Sequence, residues 1–228
     1  MKKGFSLLLA LALCATITSC AKEKNKFTDV STTANETENS KLNSTVSRAD
    51  GVATIDNWVT EVTATHYATI SIENYGDIIV ALDGNTAPIT VNNFVKLAEG
   101  GFYNGLTFHR IIKGFMMQGG DPLGNGTGGS SEKIQGEFAK NGYYNNISHV
   151  RGAISMARGT PYDSGRSQFF IVHKDSTYLN EQYAAFGFVI DGMEVVDAVC
   201  EAARPIDRNG TIPAENQPVI KSITITKA

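Results

Sequence analysis

The stretch Phe108-His109-Arg110-Ile111-Ile112-Lys113-Gly114-Phe115-Met116-Met117-Gln118-Gly119-Gly120-Asp121 sets Arg110 and Gln118 on either side of a Lys-Gly turn, with Phe115 and Met116 between them. Arginine keeps its charge at any physiological pH and presents its N–H groups as a rigid fork. Glutamine can both donate and accept. The segment has no evident nucleophile, no metal-ligand spacing and no phosphate-binding loop. Such a set suits a reaction in which no covalent bond is made or broken. The run Gly124-Asn125-Gly126-Thr127-Gly128-Gly129 lacks the Gly-Lys-Ser/Thr ending of a phosphate loop, which makes it a turn-rich surface loop. His66, His109, His149 and His173 show no ligand spacing either, so no metal and no cofactor are expected, and His109 is expected to be structural or supporting.

These residues need elements to hold them. Gly114 lets the chain redirect before Phe115, and Met116 and Gln118, two apart, share one face of the following strand. Gln168 and Phe170 share a face in the same way, which leaves Phe169 and Ile171 for the other side. Alternation predicts a hairpin from Tyr67–Ile72 and Asp77–Leu82 around Asn74-Tyr75-Gly76. Further strands are expected near 106–112, 115–118, 152–157, 168–172, 185–190 and 219–226, with a Gly-rich loop over 119–129. A helix opens near Pro88, with Val91, Phe94, Val95 and Ala98 on its apolar face, and stops at Gly100. A second runs from Met193 to Ala202. Short strands with two separated helices predict a mainly β fold, an antiparallel barrel whose ends the helices cover.

The chain of 228 residues, 42% apolar, has room for one sizeable core plus extensions. Its 20 basic and 23 acidic residues give a net charge of −3, with no basic excess to suit a nucleic acid. Residues 1–19 read as a signal peptide: Lys2 and Lys3, then an apolar run from Phe5 to Ala15 that is short for a bilayer span. Ser19-Cys20 resembles a bacterial lipoprotein box, so Cys20 is expected to carry a lipid and Cys14 to be removed. Cys200 is then the only cysteine of the body, a small buried hydrophobe. Residues 20–65 form a polar tether and N-terminal extension; within it Trp58, Val59 and Val62 leave 51–65 open to packing on the domain edge. The domain proper is 66–228. Ala21 after Cys20 gives no aspartate retention signal, so the expected location is the bacterial cell envelope, on the outer membrane.

From about His66 onward the chain resembles the cyclophilin-type peptidyl-prolyl cis-trans isomerases. The blocks that carry this are Ala87-Pro88, Asn93-Phe94-Val95, Phe102-Tyr103, Thr107 to Arg110, Gly114-Phe115-Met116, Gln118 to Asp121, Gly152, Ser155-Met156-Ala157, Ser167 to Ile171 and Phe186-Gly187, in family order. The resemblance implies an eight-stranded antiparallel barrel capped by two α-helices. It implies an enzyme that accelerates rotation about X-Pro bonds in unfolded or exported proteins, acting as a monomer on proline-containing polypeptides without a cofactor. It makes Phe115, Met116, Phe170 and Leu179 the walls of a proline pocket. It places Ala157, Arg158 and Gln168 along the substrate backbone, with Tyr178 and Tyr183 beside the pocket.

That reaction asks for a donor near the prolyl nitrogen, where the lone pair localises as the amide twists, and Arg110 is the candidate. Gln118 is either its orienter or an anchor for substrate backbone. The chain departs from the family at Arg158, where Asn is common, and at Tyr178 and Tyr183, where many eukaryotic members have Trp and His. Tyr178 bears on cyclosporin affinity. Lys113 replaces the usual Pro. Two rival readings are a module that holds proline segments without turnover, and a barrel that carries a small apolar ligand in its interior.

Overall fold

Alternating apolar residues build the first hairpin. The computed structural model describes residues 55–228. The expectations for the signal peptide, Cys14, Cys20 and most of the tether lie outside the described residues. Strand β1 (His66–Ile72) buries Ala68, Ile70 and Ile72, and β2 (Gly76–Leu82) buries Ile78, Val80 and Leu82 against them, antiparallel from His66↔Leu82 to Ile72↔Gly76. Helix α1 (Pro88–Glu99) starts with proline and has no side-chain cap of its own. Its free N–H groups instead find the Glu137 carboxylate, which accepts from Ile89 N at 3.0 Å and from Thr90 N and Oγ1 at 2.8 Å each.

The remaining elements are β3 (Thr107–Ile112), β4 (Met116–Asp121), β5 (Ala153–Met156), β6 (Phe169–Val172), β7 (Ala185–Asp191), α2 (Met193–Ala202) and β8 (Ile220–Lys227). The eight strands form one antiparallel sheet in the order β3-β4-β6-β5-β7-β2-β1-β8. The sheet curls until its two end strands meet. Gly105 N donates to Ile220 O (2.8 Å), Ile220 N to Leu106 O (2.7 Å) and Phe108 N to Pro218 O (2.9 Å). Inside lie Phe94, Tyr103, Phe108, Phe169 and Phe186, all at 0% exposure. Large aromatics thus occupy the interior that a carried apolar ligand would need. Cys200 is buried on α2, where burial pushes its thiol up to about 12, so it packs as a hydrophobe and is no nucleophile at neutral pH.

Strand β4 runs on to Asp121, beyond the end expected at Gln118, and the glycines that suggested a loop are the reason it can. A Cβ on Gly119 would sit 2.7 Å from Thr107 O, and Gly120 takes φ +80° with its missing Cβ 2.6 Å from Ser167 O. Only glycine lets the backbones approach that closely. The β3–β4 ladder pairs Thr107↔Asp121, Phe108↔Gly119 and Arg110↔Gln118. Gly120 and His109 are therefore unpaired bulge residues.

The N-terminal extension is attached to this body well before His66. Val59 N donates to Asn146 O (2.8 Å) and Ser148 N to Val59 O (2.9 Å), a parallel bridge to Ile147. Tyr144 Oη donates to Asn57 Oδ1 at 2.7 Å, and Asn146 Nδ2 to Asn57 O at 3.0 Å. Val59 and Val62 pack on a second apolar cluster that contains Met116, Ile147, Phe170, Leu179 and Phe188. The packing on the domain edge that Trp58, Val59 and Val62 left open is thus present for the two valines, while the backbone bridge to Ile147 could not be read from local periodicity.

Candidate active site

Arg110 reaches the outer face of the sheet because of the bulge. Phe108 and Ile111 both belong to the interior cluster, three apart, and Arg110 between them turns the other way. Its partner across the ladder is Gln118, and the partner of Gln118 on the far side is Phe170. The three strands thus bring a cation, an amide and an aromatic ring side by side. Arg110 lines a hollow of about 160 Å³ with Phe115, Met116, Phe170, Leu179 and Tyr183.

The guanidinium is held at two points. Nε donates to Asn209 O at 2.7 Å and Nη1 to Gln118 Oε1 at 3.2 Å, with the charge 5.9 Å from the Phe115 ring centroid. Burial lowers its pKa, while Tyr183, Asp207 and Tyr178 act to raise it. A guanidinium so placed stays a cation at neutral pH.

A chain of amides sets which way Gln118 points. Gln168 Nε2 spends its hydrogens on Gly126 O (3.1 Å) and Gly128 O (2.7 Å). Gln168 Oε1 then accepts from Gln118 Nε2 (2.9 Å), which leaves Gln118 Oε1 to face Arg110. The loop that starts this chain is tied by Asp121, whose carboxylate accepts from Leu123 N (2.9 Å), Asn125 N (3.2 Å) and Gly126 N (2.6 Å). Burial opposes the charge on Asp121, yet these N–H groups hold its carboxyl below the usual carboxylate range.

All but two of the residues named from the sequence line the hollow. Ala157 and Arg158 are on its edge and, with Gln118, also line an adjoining hollow of about 240 Å³, where Gln168 lies. Tyr178 is 64% exposed and stands on the rim, its ring 5.9 Å from that of Phe115, so it does not line the hollow itself. Phe169 and Ile171 face the interior while Phe170 faces the site, the split expected from alternation.

The chain matches the family described as "Cyclophilin type peptidyl-prolyl cis-trans isomerase/CLD" over residues 67–228. The chain belongs to this family. It is similar to a peptidyl-prolyl cis-trans isomerase of Helicobacter pylori, 45% identical over 141 residues, 61% of this chain and 83% of that one. Peptidyl-prolyl cis-trans isomerase A of Dickeya dadantii is 40% identical over 161 residues, 67% of this chain and 80% of that one. Longer isomerase-like relatives from Cryptococcus neoformans and Arabidopsis thaliana match over 24–27% of their own length. Among solved structures, a cyclophilin type isomerase of Cryptosporidium parvum, crystallised in the presence of the dipeptide Ala-Pro, matches with a TM-score of 0.62 at 33% identity, covering 71% of this chain and 99% of that one. The protein is a peptidyl-prolyl cis-trans isomerase.

Within this cyclophilin the departures from family habit have visible consequences. Arg158, where Asn is common in the family, sets its side chain among three rings. The guanidinium lies 4.8 Å from the Tyr183 ring, 5.0 Å from Tyr162 and 5.1 Å from Phe138, and Nε donates to Gln182 O at 3.0 Å. It braces Tyr183, which meets the Phe170 ring edge-on at 5.8 Å. Lys113 is exposed in the turn and pairs with Glu201 at 2.7 Å.

Sequence reasoning passed over His149. Its ring stacks on Phe170 (6.0 Å, 21°). Asn180 Oδ1 can only accept, so Nδ1 (3.0 Å away) carries the proton, and Nε2 accepts from Ser155 Oγ at 2.9 Å. Burial lowers its pKa to about 4, so the ring is neutral. His149 is 21 residues from Phe170, and no spacing rule links them. His109, the bulge residue, is buried with neither ring nitrogen hydrogen-bonded, and burial lowers its pKa as well.

Proposed function

We propose that this isomerase acts on X-Pro bonds of unfolded or exported polypeptides in a bacterial cell envelope, as a monomer held to the outer membrane through a lipid on Cys20. The observation that carries the catalytic reading is the half-buried Arg110 guanidinium, oriented by Asn209 and Gln118 on the wall of a hollow that Phe115, Met116, Phe170 and Leu179 also line. Amide resonance opposes X-Pro rotation with a barrier of about 18–20 kcal/mol. In the twisted state the lone pair settles on the prolyl nitrogen. A fixed N–H donor beside that nitrogen binds the twisted form better than the planar one, which is what acceleration requires.

In this reading the proline ring enters between Phe115, Met116, Phe170 and Leu179, against the Tyr183 ring. Arg110 supplies the donor and Gln118 keeps it aimed. Ala157, Arg158 and Gln168 carry the substrate backbone into the adjoining hollow, and Tyr178 guides it at the rim. The Cryptosporidium parvum structure was obtained in the presence of the dipeptide Ala-Pro, which supports a proline-containing peptide as the occupant. The envelope location is supported by Lys2-Lys3, the apolar run and Ser19-Cys20. The 34 residues of 21–54 would reach at most about 120 Å from membrane to domain.

Exchange rates on a panel of proline peptides, measured by NMR with and without the protein, test the activity and its preferences. Membrane fractionation of wild type and Cys20→Ala tests the anchor: the variant should leave the membrane fraction, and an unchanged partition rejects lipidation at Cys20.

A further inference from the structure

The segment from Tyr178 to Tyr183 has two sides. Leu179 and Tyr183 line the proline hollow. Tyr178, Glu181 and Gln182 line a broader hollow of about 580 Å³ together with Trp58, Lys140 and Ser148. Trp58 precedes residues 67–228, over which the chain matches its family, so this wall belongs to the chain's own extension. The backbone on both sides of Trp58 is fastened, Asn57 by Tyr144 and Asn146, Val59 by Asn146 and Ser148. The indole is thus presented from a fixed support. Glu181 adopts φ 64°, a left-handed conformation that costs energy in a non-glycine residue, and its carbonyl accepts from Lys140 N at 3.0 Å.

We propose that this hollow is an additional substrate subsite, which takes the part of the polypeptide next to the proline and stacks one aromatic or bulky apolar side chain on Trp58. The proposal rests on the reading of the neighbouring hollow as the proline site. Continuity argues for this occupant. Tyr178 lines the broader hollow, and its ring lies 5.9 Å from Phe115, which lines the proline hollow. A chain that leaves the proline on that side crosses Tyr178 and meets Trp58. Lys140 and Glu181 offer one charge of each sign, so the indole face, and not net charge, is the selective element.

Trp58 is the only tryptophan, so its emission reports on this hollow alone. Two kinds of peptide serve as probes: blocked Ala-Pro-Ala, and the same core extended on one side or the other by about five residues, a reach of about 16 Å, with a Phe in the extension. One of the two extensions should shift Trp58 emission in a saturable way and bind about three- to tenfold tighter than the short peptide, the gain of one aromatic contact. In Trp58→Ala that advantage should vanish. Emission blind to both extensions, or extended peptides that bind no tighter, would overturn the proposal. So would equal loss for short and extended peptides in Trp58→Ala, which would make Trp58 a structural prop. An emission change that follows protein concentration and tracks dimer in sedimentation would assign the hollow to a second copy instead. Turnover of the short peptide reports separately on the isomerase reading, because it does not involve Trp58.

Discussion

Phe108 and Arg110 are two residues apart on one strand, yet Phe108 packs inside the barrel and Arg110 lines the hollow outside it. In a regular strand they would share a face. The unpaired His109 between them reverses the direction, and so allows one strand to supply both a core aromatic and the site's cation. The position of Arg110 then depends on its side-chain partners, and each of these links can be tested.

Arg110→Ala should lower kcat/KM on a proline peptide by about one to three orders of magnitude, the loss of a charge-assisted contact of about 1.5–3 kcal/mol or more. Arg110→Lys should recover little, since an ammonium cannot span Asn209 O and Gln118 Oε1 as the fork does. Circular dichroism should show both variants folded. Wild-type turnover in a protease-coupled assay for Arg110→Ala would reject it as the donor.

Gln118 and Gln168 should act as one unit. Gln118→Ala should reduce kcat more than it raises KM, and Gln168→Ala should also raise KM through its place along the substrate backbone. The double variant should cost less than the two losses combined, because part of the Gln168 effect reaches Arg110 through Gln118. A double-mutant cycle on steady-state constants measures this. Strict additivity would mean that the two amides serve the substrate independently.

Stability should fall as pH is lowered from about 6.5 to 4. The His149 pKa drops from 6.5 unfolded to about 4 folded. Between these values the unfolded chain binds a proton that the folded one refuses, so the stabilisation is complete above 6.5 and decays toward 4, by about 3 kcal/mol in all. His109, also lowered by burial, adds loss of the same sign. Asp121, held below the usual carboxylate range, adds its own loss at lower pH still. Urea midpoints at pH 7 and 5 show the effect, and His149→Gln should flatten it. Equal midpoints at the two pH values would contradict a neutral buried ring.

The valines of the extension should matter to the domain. Val59→Ala with Val62→Ala should destabilise the protein by about 1–2 kcal/mol, since both side chains are half-buried on the cluster that backs Phe170 and Leu179. Thermal unfolding measures the loss. No change in Tm would make the extension a passive neighbour of the barrel.

Much of the molecule was legible in the residues themselves. Period-two alternation located the first hairpin, and the Pro88 and Gly100 boundaries located α1. The spacing of Gln168 and Phe170 divided one strand between the hollows and the interior, as the structure places them. The end of β4 was misjudged because Gly119 and Gly120 read as loop, when they mark a close approach of backbones that only the paired strand reveals.

By itself, then, the amino-acid sequence determined the family, the strands and helices, and the residue types a prolyl site requires, because these depend on neighbours along the chain. The tertiary structure alone decided that His109 turns Arg110 outward, that the Gly-rich loop aims Gln118 through Gln168, that His149 lies behind Phe170, and that Trp58 borders a second hollow. Those relations join residues far apart along the chain, such as Gly126 and Gln168 or Trp58 and Gln182. Bulge position and the satisfaction of buried polar groups depend on which strands meet, and local periodicity holds no record of that.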